Sequence, residues 1–298
     1  MFDTVPRLRC GSRELRLDRP RVMGVLNVTP DSFSDGGRHN TLELALARAA
    51  QMADGVDVID VGGESTRPGA NPVSEQEEID RVCPVIEALV AAHEVVISVD
   101  TFKPAVMRAA IAAGVHMVND IQALRQEGAM DAVAGSEVAV VLMHAIGGPY
   151  DAGIAHDYAD VAMQVRSFLA ERVLACEFSG ISRDRLLLDP GYGFAKDTDQ
   201  NVQLLARQAE LLDLGLPLLA GLSRKRCIGD ITGRALAAER MAGSLAAHLL
   251  AVQNGAMLVR THDVAPTVDA LRVVARMGAE PSRRVVPNPA AALWGDED

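Results

Sequence analysis

The chain is poor in several things, and each shortage removes a class of protein. Across 298 residues with a formal net charge of −11, the only basic cluster is the short run Arg224-Lys225-Arg226. A duplex nucleic-acid binder needs a basic face, so nucleic acid is not an expected partner. An anionic ligand would have to be held by local groups against the net field. Four cysteines, Cys10, Cys83, Cys176 and Cys227, are scattered without metal-ligand spacing. No apolar run reaches the ~20 residues of a membrane span, and no signal-peptide pattern precedes Arg7. The expectation is a reduced, soluble, cytoplasmic protein with no membrane association. With 25 glycines and 14 prolines the chain is not of low complexity.

What is present is a repeat. Short apolar runs at residues 22–28, 56–61, 95–99, 116–121, 138–143, 186–188, 216–219 and 256–259 read as strands. Most are continuous rather than alternating, as strands covered on both faces are. Between them lie amphipathic, alanine-rich stretches at 42–52, 75–92, 105–113, 157–176, 201–214, 235–252 and 264–277. Strand followed by helix, repeated along the chain, predicts an α/β protein with a closed (β/α)8 TIM barrel. The competing doubly wound sheet needs a reversal point, and neither a long crossover nor a Gly-x-Gly-x-x-Gly turn is found. We expect one domain over residues 1–298, with a barrel core at about 21–280. Residues 1–20 form an extension whose arginine-rich part reads as a small hairpin across the barrel bottom, and 281–298 form a tail.

In such a barrel, function sits at the C-terminal ends of the strands. Unusual polar residues gather there: Asn27, then Asp31 and Asp35; Glu64 to Arg67; Asp100; Asn119 and Asp120; His144 after Met143; Asp189; Ser223 to Lys225; Arg260 and His262. Turn chemistry favours Asn, Asp, Ser and Gly, but it has no use for Lys225, Arg260, His262 or the apolar Met143. Carboxylates and amides (Asn27, Asp100, Asn119, Asp189) suit a ligand rich in N–H donors, or a hard cation. Arg67, Lys225, Arg260 and His262 suit a phosphate or pyrophosphate. Chemistry alone therefore predicts group transfer or lyase chemistry on a phosphorylated small molecule.

The loops narrow this further. MGVLNVTPDSFSDGG at 23–37 and DVGGESTRPGA at 60–70 resemble the dihydropteroate synthase family, the folate-pathway enzymes that sulfonamides inhibit. SVDT (98–101), VNDI (118–121), LMH (142–144), LDPGYGF (188–194), GLSRK (221–225) and RTHDV (260–264) follow in the family's order. The resemblance spans roughly residues 21–264 and implies a (β/α)8 barrel. The implied reaction condenses 6-hydroxymethyl-7,8-dihydropterin pyrophosphate with 4-aminobenzoate, assisted by Mg2+, to give 7,8-dihydropteroate and pyrophosphate. By the same resemblance Asp100, Asn119, Met143, Asp189 and Lys225 hold the pterin. Asn27 binds the metal with the pyrophosphate, and Arg67, Arg260 and His262 form the anion pocket. Thr66, Pro68 and Ser223 border the aminobenzoate, with Phe33 covering its ring. Asp35 contacts the metal-pyrophosphate group or stabilises a closed first loop. Asn27, Asp35, Asp100, Lys225, Arg260 and His262 form the implied catalytic set. The family is usually a homodimer packed through late helices.

Physical chemistry agrees with those roles. As pyrophosphate leaves a CH2 attached to an electron-rich ring, positive charge spreads into the ring. The protein then has to stabilise a departing anion rather than activate a nucleophile. Asp189 accepts two donors of the pyrimidine edge, whereas Asn119 can serve either a donor or an acceptor. Asp57 and Asp60 are expected either to orient the site from below or to satisfy nearby backbone. His39, His93, His116, His156 and His248 read as surface, turn or packing residues without convincing partners, and His144 as structural. Departures from the family pattern fall at Ala145, Gln122, the 150–156 run and Ala195. A methyltetrahydrofolate-type methyltransferase needs no pyrophosphate pocket, and the intact GGESTRPGA and Arg260-Thr261-His262 segments argue against it. The remaining alternative is a catalytically weak pterin-binding paralogue.

Overall fold

In a strand, successive side chains point to opposite faces, so a closed sheet sorts every second residue inward. The computed structural model describes residues 5–29, 38–65, 71–148, 150–151 and 154–278. After an antiparallel hairpin, β1 (Arg7–Cys10) and β2 (Arg13–Arg16), come eight barrel strands. They are β3 (Arg21–Asn27), β4 (Val58–Gly62), β5 (Val96–Asp100), β6 (Met117–Asp120), β7 (Ala139–Met143), β8 (Leu186–Asp189), β9 (Leu218–Ala220) and β10 (Ala256–Thr261). All pair in parallel, and β10 closes against β3 in the order β10-β3-β4-β5-β6-β7-β8-β9. The predicted (β/α)8 barrel and its N-terminal hairpin are both present.

The helices are α1 (Arg38–Ala53), α2 (Glu75–Ala92), α3 (Pro104–Ala112), α4 (Ala129–Ala134), α5 (Val161–Phe178), α6 (Thr198–Ala206), α7 (Arg226–Thr232), α8 (Met241–Gln253) and α9 (Val264–Gly278). Helix α2 shows why the pattern was readable. Ser74 caps its start by accepting from the Glu77 N–H at 3.2 Å, and Val82, Val85, Ile86 and Leu89 are buried on one stripe. Two stretches depart from the expected helices. The one expected at 201–214 ends at Ala206 and continues as a 3-10 turn, Gln208–Leu214. Buried Gln208 accounts for the break, accepting from Tyr192 Oη at 2.8 Å and donating to the Ala251 carbonyl at 2.9 Å. The one expected at 235–252 starts at Met241, because Arg240 folds back to donate to the carbonyls of Arg234, Ala235 and Arg224. Helices α4 and α7, of six and seven residues, are too short to show a period and were not anticipated.

Two apolar layers hold the barrel. One lies between the strands and the helices. The other fills the barrel's lower interior with Met23, Val58, Val96, Met117, Val141, Leu187, Leu219 and Leu258, and it continues into Leu8, Cys10, Leu15 and Leu17. The hairpin is therefore a plug on the N-terminal end. Arg13 pins it by donating to the His93 carbonyl at 2.7 Å, and the Gly11 N–H donates to the Glu137 carbonyl at 2.8 Å. Asp57 serves the same end of the barrel, accepting from the Val22 N–H at 2.9 Å and pairing with Arg19 and Arg21.

Leu8 is 1% exposed within this plug. Leu8→Ala should cost about 2–5 kcal/mol of unfolding free energy in urea. A loss under about 1 kcal/mol would contradict the hairpin's place in the core.

Candidate active site

The same alternation that fills the lower barrel with apolar groups builds the site above it. Two residues beyond Met23 is Val25, and two further is Asn27; Val58 leads to Asp60, and Val96 through Ser98 to Asp100. Likewise Met117 leads to Asn119, Val141 to Met143, Leu187 to Asp189, and Leu258 through Arg260 to His262. One face of each strand thus passes from apolar to polar along its length. Asn27, Asp100, Asn119, Met143, Asp189, Ser223, Lys225, Arg260 and His262 all line one cavity of about 640 Å³ at the strands' C-terminal end. Every residue predicted for the site and described in the structure is in that cavity. Phe33, Asp35, Thr66, Arg67 and Pro68 lie outside the described residues.

Arg260 organises the cavity. It reaches past β3 to donate from Nε to Asp60 Oδ2 at 2.7 Å on β4 and from Nη2 to Asp100 Oδ2 at 2.6 Å on β5. Burial works against its charge, but Asp60 and Asp100 outweigh it and hold the guanidinium above its usual pKa. Burial pushes Asp100 up to about 7; Arg260 opposes that rise, and Asp60 adds to it. Asn119 Nδ2 donates to the same Asp60 oxygen at 3.0 Å.

On the opposite wall, the loop after β8 turns on Asp189. Its Oδ1 accepts from the Gly191 N–H at 2.7 Å, and the Gly193 N–H donates to Asn201 Oδ1 at 2.7 Å. Gly191 has φ of +70°, and a Cβ there would sit 1.9 Å from the His144 carbonyl oxygen. Only glycine lets the chain bend tightly enough for Asp189 to face the cavity. Burial raises the Asp189 pKa, opposed by the Gly191 N–H and by Lys225. Lys225 lies with Nζ 4.1 Å from the Phe194 ring centroid. Its pKa falls to about 8 through burial first and the field of Arg260 second. Ser223 Oγ accepts from the His262 N–H at 3.1 Å and lies 3.0 Å from His262 Nδ1. Arg224, at φ of +59°, makes a bidentate pair with Asp263 at 2.9 and 2.5 Å. Met143, Ile121 and Phe194 belong to a small apolar cluster with Phe102 and Ala145. That cluster forms a wall suited to a flat ring.

Lys196 has no expected place in the site, while Glu64 is expected only as a rim residue without a role and Asp60 only below the site. Lys196, buried, donates to the carbonyls of Gly191 and Phe194 at 3.0 and 3.1 Å and lies 3.0 Å from His144 Nδ1. Burial lowers its pKa to about 7. Glu64 accepts from Tyr150 Oη at 2.9 Å and from the Val73 N–H at 2.8 Å, and pairs with Lys103 at 2.9 Å beside buried Glu78. Of the histidines, His144 is buried in contact with Lys196 and Phe168, and burial drops its pKa to about 2. His116 and His248 do have partners, contrary to expectation. His116 Nδ1 accepts from the Ile97 N–H at 3.1 Å, and His248 Nε2 from the Leu222 N–H at 3.3 Å. Both are packing groups that satisfy backbone.

Comparison with known proteins agrees with this geometry. Residues 23–262 match the family described as pterin binding enzyme. The dihydropteroate synthase of Escherichia coli (strain K12) is 48% identical over 272 residues, covering 91% of this chain and 96% of that one. The Xanthomonas albilineans dihydropteroate synthase structure with 4-aminobenzoic acid is 60% identical with a TM-score of 0.88, over 93% of this chain and 100% of that one. The same organism's enzyme in complex with 7,8-dihydropteroate has a TM-score of 0.85 at 57% identity, with the same coverage of both chains.

Gly191→Ala should lower unfolding free energy by about 2–4 kcal/mol in urea, because a methyl cannot occupy the His144 carbonyl's place and φ is positive. A change within about 0.5 kcal/mol would mean that the loop bends without needing glycine.

Proposed function

The chain belongs to the dihydropteroate synthase family of pterin-binding enzymes, transferases of alkyl groups other than methyl, and on that premise we propose how its cavity works. Dihydropterin pyrophosphate and 4-aminobenzoate enter, and 7,8-dihydropteroate and pyrophosphate leave. The observation that carries this reading is a division within one cavity. Acceptors (Asp100, Asn119, Asp189) share it with cationic groups (Lys225, Arg260) and His262, beside an apolar wall.

Asp189 and Asn119 bind the pterin's donor-rich edge, while Met143, Ile121 and Phe194 pack on its faces. The C–O bond between the pterin CH2 and pyrophosphate breaks, its electron pair leaving with the oxygen. Positive charge at the CH2 delocalises into the ring beside Asp100. Arg260 and His262, with Arg67, hold the leaving anion. The arylamine nitrogen then forms the C–N bond and gives up one proton to the departing pyrophosphate or to solvent. Ser223, Thr66, Pro68 and Phe33 border the aminobenzoate, and Asp35 acts with the pyrophosphate group.

Asn27, the last residue of β3, is the proposed metal ligand and lines the cavity, as do Thr29 and Ser65. Among the described residues no group of three or more His, Cys, Asp or Glu is arranged for a metal. A single amide oxygen nonetheless fits Mg2+, which keeps several waters and takes few protein ligands when phosphates are present. When bound there, Mg2+ supplies charge neutralisation to pyrophosphate.

We also propose one unit spanning residues 1–298, a cytoplasmic location, sulfonamide binding at the aminobenzoate subsite, and a homodimer. No helix among the described residues is long and apolar enough to cross a membrane. The late helices and the turn between them expose Ile231 (60%), Leu236 (65%), Leu250 (50%) and Val273 (58%), which supports pairing of two copies. Sedimentation equilibrium should give twice the 31.7 kDa chain mass; a one-chain mass at micromolar concentration rules the dimer out.

The test is turnover with dihydropterin pyrophosphate, 4-aminobenzoate and Mg2+, following both products. Equal yields, abolished by chelator, are expected; folded protein that binds pterin yet forms neither product contradicts the reading. The pH profile of kcat/KM for the pterin substrate should be bell-shaped. Below about 7 Asp100 gains a proton and ceases to balance Arg260, and above about 8 Lys225 loses its charge. Asp100→Asn should remove the acid limb, and a profile flat from pH 6 to 9 would sink this assignment.

A further inference from the structure

Asp60 is fully buried and faces the barrel interior two residues before the end of β4. It has no contact role in the reaction above. Yet its Oδ2 accepts from two groups that do, Arg260 Nε at 2.7 Å and Asn119 Nδ2 at 3.0 Å. The two bonds have different consequences. For Arg260, donation from Nε to Asp60 and from Nη2 to Asp100 fixes the plane of the guanidinium. Nη1 is left without a hydrogen bond among the described residues. For Asn119 the consequence is chemical. A terminal amide has a donating end and an accepting end, and the surrounding network decides which way it points. A carboxylate oxygen already paired to a guanidinium accepts and does not donate. The amide nitrogen must therefore face Asp60, and the carbonyl faces the cavity that Asn119 lines.

We propose that Asp60 is a positioning residue that sets the hydrogen-bonding polarity of the pterin pocket, by holding Asn119 with its carbonyl toward the ligand and Arg260 in plane with Asp100. This rests on the synthase reading. An asparagine that could serve either a donor or an acceptor becomes an acceptor only. With Asp100 and Asp189 it completes an acceptor-only set, which a ligand must meet with N–H groups. A ring offering unprotonated nitrogens at the same points would leave these acceptors buried and unpaired, a strong basis for rejection. Selection for an amino and N–H edge then originates in a side chain that does not touch the ligand. The other Asp60 oxygen, Oδ1, is buried without a hydrogen-bond partner among the described residues. An unpaired buried acceptor lowers stability, so the carboxylate is poorly explained by fold stability alone.

Steady-state kinetics of the full chain, wild type beside D60A, D60N and N119D, tests this with dihydropterin pyrophosphate, 4-aminobenzoate and Mg2+. D60A removes the shared acceptor and should raise KM for the pterin substrate at least about tenfold while changing KM for 4-aminobenzoate less than about twofold. D60N can keep an amide oxygen at the Oδ2 position, where it accepts from both Arg260 and Asn119, and its pterin KM should stay within about threefold of wild type. N119D sets two carboxylates against each other and should be at least as damaging as D60A. Pterin KM unchanged in folded D60A, both KM values rising together, or a loss in D60N as large as that in D60A would overturn the proposal. Should D60A not fold, D60N and N119D decide, since a rise of about tenfold in D60N or an unchanged pterin KM in N119D overturns it. A wild type without turnover defeats the synthase reading instead, so the two failures are distinguishable.

Discussion

A guanidinium inside a closed barrel must be given counter-charge where it lies, and the cavity is arranged around that constraint. Arg260 enters from β10, the strand whose pairing with β3 closes the barrel, and finds its carboxylates on β4 and β5. Breaking such a buried pair from one side strands the other charge, typically at about 3–5 kcal/mol. The pairing therefore fixes more than one side chain. It keeps Asp60 bonded to Asn119, and Arg260 opposes the rise that burial gives the Asp100 pKa and adds to the fall that burial gives the Lys225 pKa. A net field of −11 would repel a pyrophosphate. Locally, Lys225 and Arg260 reverse that sign where the anion is proposed to bind.

The second constraint is the period of two along each strand. It makes the lower barrel apolar and the upper barrel polar without changing the fold, because the same inward face passes from Val58 to Asp60 or from Leu187 to Asp189. The N-terminal hairpin seals the lower end with Leu8, Leu15 and Leu17. Chemistry is thereby confined to the other end, where loops supply what strands cannot. Gly191 bends the chain so that its N–H meets Asp189, and Arg224, at φ of +59°, pairs with Asp263. Ala195 takes a left-handed φ of +52° in the same loop as Gly191, a conformation that non-glycine residues seldom adopt.

Much of this was legible in the sequence because the signals were local. Continuous apolar runs gave all eight barrel strands, and polar residues at their ends gave the described part of the cavity. Helices α4 and α7 were not legible, since one or two turns carry no period. Partnership across the barrel was not legible either. Asp60 and Arg260 are brought together only by barrel closure, and the roles of Lys196 and Glu64 depend on loops meeting in space. The histidines were misjudged as lacking partners for the same reason. His116 and His248 bond backbone N–H groups on segments distant in sequence, Ile97 and Leu222.

The central claim is the division of one cavity into a face that accepts hydrogen bonds and a region that holds an anion. It is tested most directly by a crystal structure of the chain with dihydropterin pyrophosphate and Mg2+ bound. The account predicts the pyrimidine edge against Asp189 and the Asn119 carbonyl, with the phosphates toward Arg260 and His262. A pterin ring turned so that an unprotonated ring nitrogen faces Asn119, or phosphates lying away from Arg260 and His262, would contradict it.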